Sequence, residues 1–169
     1  MPFGKAFVYQ APKRKKSEVY WSGLSGPAAL LAADTDRDLI AWLKGLPAQQ
    51  FGTLAPFFNT TSDKLNAFNS DSSLAFKLNL VGSWSGGSSN RSMQLDFVGT
   101  NGNRLVASRD VAVTSDVVTL ATFFSIDAGG GIVTNGTKPV IRSNNGSFAT
   151  TAVLLIAEQA TRQTLISAV

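Results

Sequence analysis

The feature that most constrains this chain is an alternation of apolar and polar side chains that recurs between Leu74 and Ile156. Every second position is apolar in two clear runs: Leu74, Phe76, Leu78 and Leu80, then Met93, Leu95 and Phe97. Side chains alternate faces along a strand, so this period of two predicts strands with one buried and one hydrated face. Glycine- and asparagine-rich segments at 99–102, 129–131 and 144–146 separate the runs where the chain must reverse.

The runs predict a mainly β fold: an antiparallel β-sandwich or jelly roll of about eight strands. The predicted strands are a short one at Leu65–Phe68, followed by Leu74–Trp84, Met93–Val98, Arg104–Val113, Val117–Ile126, Val140–Arg142 and Phe148–Glu158. No helical pattern alternates with them, which disfavours a parallel α/β sheet. Val117–Ile126 is almost continuously apolar, which favours a strand central to the sandwich or one covered by a neighbouring subunit.

Three segments are predicted along the chain. Residues 1–26 form an N-terminal arm, residues 27–48 a short helical segment and residues 49–169 the β-sandwich domain. The helix is indicated by Pro27 at a first turn, by aspartates at a helix start and by an apolar stripe from Leu39 to Leu46. Gly45 and Pro47 then end it.

The composition argues against an enzyme. The chain contains no cysteine and no histidine, so disulfides, thiolate metal sites and histidine-based catalysis are impossible. The carboxylates of the β region, Asp96, Asp110, Asp116 and Asp127, lie beside turns or on polar sides of strands, as solvated surface residues do. The aspartates at 34, 36 and 38 lack the glycine and the closing glutamate of a calcium loop. We therefore expect no catalytic residue, no metal and no cofactor.

Charge and aromatic residues concentrate near the N-terminus. Five of the 15 basic residues precede the first acid, and four of them are the run Lys13–Lys16. This run could contact phosphates, pair with an acidic patch on a partner protein, or simply be hydrated. The predicted anchoring residues of the arm are Phe3, Phe7, Tyr9, Lys13, Arg14, Lys15, Lys16, Tyr20 and Trp21. Their docking surface is either the chain's own β module or another subunit.

Two further expectations concern ligands and membranes. Trp84 precedes Gly86-Gly87 at a loop mouth, so it either faces a ligand such as a sugar or packs at the edge of the core. No apolar run approaches the roughly 20 residues that span a bilayer, and no secretory signal is recognisable, so no membrane partner is expected.

The chain resembles the jelly-roll virion structural proteins of tailed bacteriophages: head-fibre, decoration and tail-tip modules with a tumour-necrosis-factor-like or capsid-like β-sandwich. The resemblance lies in the segments Leu74–Val81, Met93–Gly99, Gly102–Leu105, Thr119–Ile126 and Phe148–Glu158. It implies a homo-oligomer, commonly a trimer, that binds other virion proteins through its N-terminal part. The implied location is the virion, after synthesis in the host cytoplasm.

Three functions follow as hypotheses. The first is a non-enzymatic virion structural protein anchored through Phe3–Trp21. The second is a single-jelly-roll capsid subunit whose Lys13–Lys16 run faces the genome. The third, of a different class, is a carbohydrate- or receptor-binding module that uses Trp84 and the loops beside it.

Overall fold

The computed structural model describes residues 13–47, 51–99 and 103–161, and twelve strands account for most of these described residues. They are β1 (Lys13–Ser22), β2 (Leu30–Leu31), β3 (Asp36–Asp38), β4 (Phe51–Thr53), β5 (Phe58–Asn59), β6 (Lys64–Leu65), β7 (Ser72–Ser85), β8 (Arg91–Val98), β9 (Arg104–Arg109), β10 (Ser115–Ile126), β11 (Lys138–Asn144) and β12 (Ser147–Thr161). The described helices are α1 (Leu39–Lys44), α2 (Gly131–Asn135) and a 3-10 turn at Pro27–Ala29.

Two larger antiparallel sheets form the sandwich. The six-stranded sheet has the order β10-β7-β12-β1-β4, with β2 also paired to β12, and the four-stranded sheet has the order β3-β11-β8-β9. A small third sheet joins β5 to β6. The predicted mainly β, antiparallel sandwich is therefore confirmed.

The core lies between the two larger sheets, where their alternating apolar residues meet. Phe76 of β7 packs edge-on against Phe97 of β8, with ring centroids 5.0 Å apart, and Phe97 packs against Phe124 of β10 at 4.8 Å. Each of these rings is at most 3% exposed. Burying such an aromatic side chain removes roughly 150–250 Å² from water, so this cluster stabilises both sheets together.

The predicted arm, residues 1–26, is not separate from the sandwich over its described part. β1 pairs along its whole length with β12, from Lys13 opposite Thr161 to Ser22 opposite Ala152, and its other edge pairs with β4. Val19 and Trp21 point inward and are at most 2% exposed. Residues 13–22 are therefore a central strand, because their period of two buries one face despite the charges that precede it.

The predicted helical segment is shorter than expected. Asp38 begins α1, since its carboxylate accepts a hydrogen bond from the Ala41 backbone N–H at 2.9 Å, and Gly45 ends it. Residues before this helix pair with strands instead: Leu30–Leu31 with β12 and Asp36–Asp38 with β11. A six-residue helix is marginal alone, so pairing and the burial of Trp42 decide the local structure.

Candidate assembly surface

The outer face of the six-stranded sheet is the candidate functional site of this fold. One row of side chains crosses it at right angles to the strands: Thr119, Asn79, Leu154, Tyr20 and Phe51, from β10 to β4. A second row runs Val117, Val81, Ala152 and Ser22. These rows place apolar side chains from distant parts of the chain on one outward surface.

Several of these apolar side chains are unusually exposed. Six large hydrophobic residues are exposed in the described ranges, and Phe51, Val81, Val117 and Phe123 lie on this face. Phe123 is 71% exposed and Val117 is 55% exposed. Exposed apolar side chains gathered on one sheet face favour a protein–protein contact there.

Strand β10 carries the two most exposed of these residues and lies at an edge. In the described residues it pairs with β7 alone, so the prediction that Val117–Ile126 is central to the sandwich is wrong. Its inward residues, such as Phe124, fill the core, whereas Phe123 projects outward. The alternative prediction, a strand covered by a neighbouring subunit, fits this placement.

A cavity of about 450 Å³ opens beside Phe123. Its walls are the end of β10, residues Gly99 and Asn103 of the β8–β9 connection, and α2 with Ile132 and Val133. The edge of the sandwich is therefore concave next to the exposed ring, a shape that can accept a protruding side chain from another molecule.

The outer face of the four-stranded sheet differs in chemistry. Arg104 Nε contacts Asp96 Oδ1 at 2.5 Å, Lys138 Nζ contacts Asp38 at 3.0 Å and Arg142 contacts Asp36 at 3.2 Å. Each of these pairs joins neighbouring strands, so the face is a set of cross-strand ion pairs. Such a surface is compatible with full hydration.

The carboxylate of Asp96 has two side-chain partners on that face, Arg104 and Gln94. Partial burial disfavours its charged form, but hydrogen bonds from Arg104 and from Gln94, at 2.6 Å, outweigh this effect and hold the pKa of Asp96 below its usual value. The same contact raises the pKa of Arg104. Both groups are therefore charged at neutral pH.

The structure distributes the predicted basic run over two faces. Arg14 pairs with Glu158 and Lys16 with Glu18, whereas Lys15 stands over the ring of Phe68, 3.5 Å from its centroid. Adjacent residues of a strand point in opposite directions, so this run does not form one cationic patch. Contact between the run and nucleic acid stays a prediction.

The predicted anchoring aromatics separate into two groups. Trp21 is buried in the chain's own core, and Tyr20 stacks on Phe51 at 5.4 Å on the outer face. Trp21 is therefore not available to anchor another protein. Phe3, Phe7 and Tyr9 lie outside the described residues.

Trp84 was expected either to face a ligand or to pack at the edge of the core, and it does not face a ligand. It is 4% exposed, packs edge-on against Phe148 at 4.9 Å and donates its indole N–H to Asp116 at 3.1 Å. Packing at the edge of the core, the other expectation for this residue, is what the structure shows.

Two further features of the described residues bear on function. No cluster of three or more histidine, cysteine, aspartate or glutamate residues is placed to hold a metal ion there. No helix in the described ranges is long and apolar enough to cross a membrane.

This antiparallel sandwich carries ion pairs on both outer faces, and its exposed phenylalanines lie on the outer face of the six-stranded sheet. Its fold is shared with the PRD1 vertex protein P5, which has a TM-score of 0.51 and 14% identity over 87% of this chain and 96% of that one. The Eiger TNF of S. frugiperda aligns over 91% of this chain and 99% of that one, with a TM-score of 0.46 and 9% identity.

Sequence comparison assigns the family. The model for the Sf6-type phage tail needle knob or tip of some Caudovirales matches residues 13–159. The tail needle protein of Shigella phage Sf6 is 48% identical over 149 residues, which cover 88% of this chain and 51% of that protein. The chain therefore belongs to the Sf6-type phage tail needle knob family, and it spans about half the length of this relative.

The family confirms the predicted class, a structural protein of the phage virion. Among the virion parts named by the resemblance, it supports the tail and gives no support to a head-fibre or capsid-decorating role. This assignment depends on a match that covers almost all of the described strands.

Proposed function

We propose that this chain is a non-catalytic tip module of a phage tail needle and that it works as a closed homo-oligomer, a trimer. The observation that carries the proposal is the outer face of the six-stranded sheet, where Phe123 and Val117 are more than half exposed. A second copy that covers this face would remove these side chains from water, with a gain of roughly 25 cal/mol per Å² of apolar surface.

The two patches that would meet are different, which favours a ring. One patch is the β10 edge with Val117 and Phe123, and the other is the broad face around Tyr20, Phe51 and Leu154. A contact between unlike patches is head-to-tail, and repeated head-to-tail contacts either close into a ring or continue as a filament. Three copies is the number that the resemblance to phage virion proteins implies.

The attachment to the rest of the virion is proposed to use residues 1–12, which include Phe3, Phe7 and Tyr9. Lys13 pairs with Thr161, at the end of the sandwich opposite the turn between β11 and β12. Residues 1–12 therefore join the described fold at one end, and the opposite loops remain free to point away from the attachment. Other virion proteins are the proposed partners of this segment.

The assembly face is tested with a matched pair of valines. Val117 on β10 and Val106 on β9 are 55% and 52% exposed, and each lies on an edge strand of its sheet. Val117→Asp should convert the oligomer to monomer in native mass spectrometry, because a charge buried at the contact is unpaired. Val106→Asp should leave the oligomer mass unchanged. Equal behaviour of the two variants, or a monomeric parent chain, would contradict the proposed assembly.

The attachment is tested by deletion of residues 2–12. The deletion ends before Lys13, because β1 is part of the central sheet and its loss would unfold the module. The shortened chain should keep its oligomer mass and its unfolding transition but be missing from purified virions when it replaces the full chain in an infection. Virions that contain the shortened chain at the normal level would refute the attachment.

A further inference from the structure

The cavity beside Phe123 lies along an unpaired strand edge. In the part of the chain that the structure describes, β10 pairs with β7 alone, so the backbone groups on its other edge have no strand partner. Phe123 and Phe124 both line the cavity, although adjacent residues of a strand point to opposite faces, so the cavity must lie at the edge of the strand. Ile132 and Val133 of α2 form its other apolar wall. Such an edge recruits an extended segment, which supplies backbone hydrogen bonds and inserts alternate side chains into the adjacent pocket.

Residues 162–169 follow β12, which ends at the same end of the sheet as this cavity. Gln159 of β12 pairs with Leu74 of β7, and Leu74 pairs with Phe124 of β10. Neighbouring strands lie about 4.8 Å apart, so Gln159 is roughly 10 Å from Phe124 across the sheet. β12 ends two residues later, at Thr161. The residues that follow can span about 26 Å when extended, which exceeds the distance back to the cavity.

The composition of residues 162–169 fits the cavity and its rim. Four extended residues cover about 13 Å, which brings Leu165 and Ile166 to the cavity. Both side chains are aliphatic, as the apolar walls require. Asp127 follows β10 directly, lies on the rim and is exposed, so Arg162 meets an opposite charge near the start of the path.

We propose that residues 162–169 dock along the open edge of β10 in their own chain and place Leu165 or Ile166 in the cavity. The segment then acts as an added edge strand that covers backbone groups and apolar surface at the end of β10. The inference does not require the oligomer proposed above. Val117 lies roughly 20 Å further along β10 than Phe123, so the outward row around Val117 stays open to another copy.

Cysteine pairs test the docking, because the chain contains no cysteine of its own. Ile132→Cys on α2 is combined in turn with Leu165→Cys and with Ile166→Cys, and the products of mild oxidation are identified by denaturing mass spectrometry. One of the two pairs should close a disulfide within a single chain, since adjacent residues of an extended segment point to opposite sides. In the control, Val117→Cys replaces Ile132→Cys, and no disulfide within one chain should form because Val117 is beyond the reach of the segment.

Amide hydrogen exchange gives a second measurement without a cross-link. Deletion of residues 162–169 leaves β12 whole and should speed exchange in peptides from the end of β10 by about tenfold or more, because amides at the open edge lose their partners. β9 is the internal control, since it is an edge strand of the other sheet and its exchange should not change. Circular dichroism confirms that every variant is folded.

Each other outcome overturns the inference. A disulfide that joins two chains would place the segment on a neighbouring copy instead. The absence of both disulfides within one chain, an equally fast one in the Val117→Cys control, or unchanged exchange in β10 after the deletion would overturn the docking itself. A monomeric parent chain that forms the disulfide within one chain would refute the proposed assembly and leave this inference intact.

Discussion

The outer faces of the two sheets have the same backbone geometry but differ in their exposed aromatic side chains. On the four-stranded sheet, the charged groups of Asp96, Arg104 and Arg142 have partners on neighbouring strands of the same chain. The six-stranded sheet also carries ion pairs, but the Phe123 ring is 71% exposed there, and Phe51 is 52% exposed although it stacks on Tyr20. Charges are therefore paired within one chain on both faces, whereas the exposed rings lie on the six-stranded sheet.

This difference bears on the assembly proposed above. The inner faces of both sheets are committed to the core, so only an outer face is free to bind. Charges that are paired within the chain stay hydrated and discourage contact, because separating these ions from water is costly. The exposed rings then make the outer face of the six-stranded sheet the favoured place for other copies.

The largest expected effect comes from the core that both faces share. Phe76→Ala removes a ring that is 2% exposed and packs against Phe97 of the opposite sheet. It should lower the free energy of unfolding by about 3–5 kcal/mol and unfold both sheets in one transition. Measurement by denaturant titration in the Val117→Asp chain, which we expect to be monomeric, separates folding from assembly.

The control for that experiment is Phe123→Ala in the same chain. Its ring is 71% exposed, so its loss should change the free energy of unfolding by no more than about 0.5 kcal/mol. If the two phenylalanines cost the same amount in the monomer, the distinction between a core face and an assembly face is not valid.

A second prediction affects the six-stranded sheet at its bulge. A β carbon on Gly82 would lie 2.2 Å from the Ala149 carbonyl oxygen and 2.8 Å from the Phe148 ring, beside the register shift between Thr150 and Ala152. Gly82→Ala should therefore cost about 1–3 kcal/mol by overpacking, because backbone must move. In the parent chain it should also weaken the oligomer, since β7 and β12 lie in the sheet whose outer face is proposed to bind other copies.

Gly131→Ala is the matched control for the glycine. No atom lies within 4 Å of the added carbon at this position in α2. Alanine has a higher helix propensity than glycine, so the free energy of unfolding of Gly131→Ala should equal that of the parent or exceed it slightly. Unfolding curves and oligomer masses of both variants make the comparison, and a neutral Gly82→Ala would argue against the close approach of β7 and β12.

Much of this fold is predictable from local pattern alone. β7, β8, β10 and β12 begin and end within a few residues of the predicted runs, because alternation marks β7 and β8 and apolar runs of strand length mark β10 and β12. The sequence predicts β1 as part of an arm, because its charged residues obscure the short alternation of buried side chains. Its partner strand is also distant in sequence, since Arg14 pairs with Glu158. That pairing depends on the sheet order, which local pattern does not contain.

The candidate site is less predictable than the fold. The apolar character of β10 was visible, and so was the possibility of a covering subunit. The set of residues that share the outer face of the six-stranded sheet was not visible, because it depends on strand register. Tyr20 meets Phe51 only because β4 pairs with β1.

A third prediction concerns the loss of an ion pair from the outer face of the four-stranded sheet. Arg142 donates to Asn144 Oδ1 at 2.8 Å and contacts Asp36, so it joins β11 to β3. Arg142→Met should lower the free energy of unfolding by roughly 1 kcal/mol, in the upper range for a partly exposed pair, because more than one partner is lost. Native mass spectrometry should show the parent oligomer. Dissociation of this variant would mean that the four-stranded face also contributes to assembly.

The smallest expected effect concerns pH. It tests whether the Asp96–Arg104 pair on the outer face of the four-stranded sheet contributes to the free energy of unfolding. The pKa of Asp96 is lower in the folded chain than in the unfolded chain, so the folded state binds this proton more weakly. The pair with Arg104 therefore adds stability above the unfolded pKa, near 3.9, and loses it as the pH falls through the lower folded pKa. Because the Arg104 side chain is exposed, screening by solvent keeps this contribution small.

Asp96→Asn provides the reference, because it removes the titrating group and keeps the size of the side chain. The difference in the free energy of unfolding between the parent and Asp96→Asn should be largest at neutral pH and should shrink as the pH is lowered from 5 to about 2. Denaturant titrations at four pH values measure it. A difference that grows on acidification would mean that burial outweighs the hydrogen bonds of Arg104 and Gln94, and the charged face would then be tolerated by the fold without stabilising it.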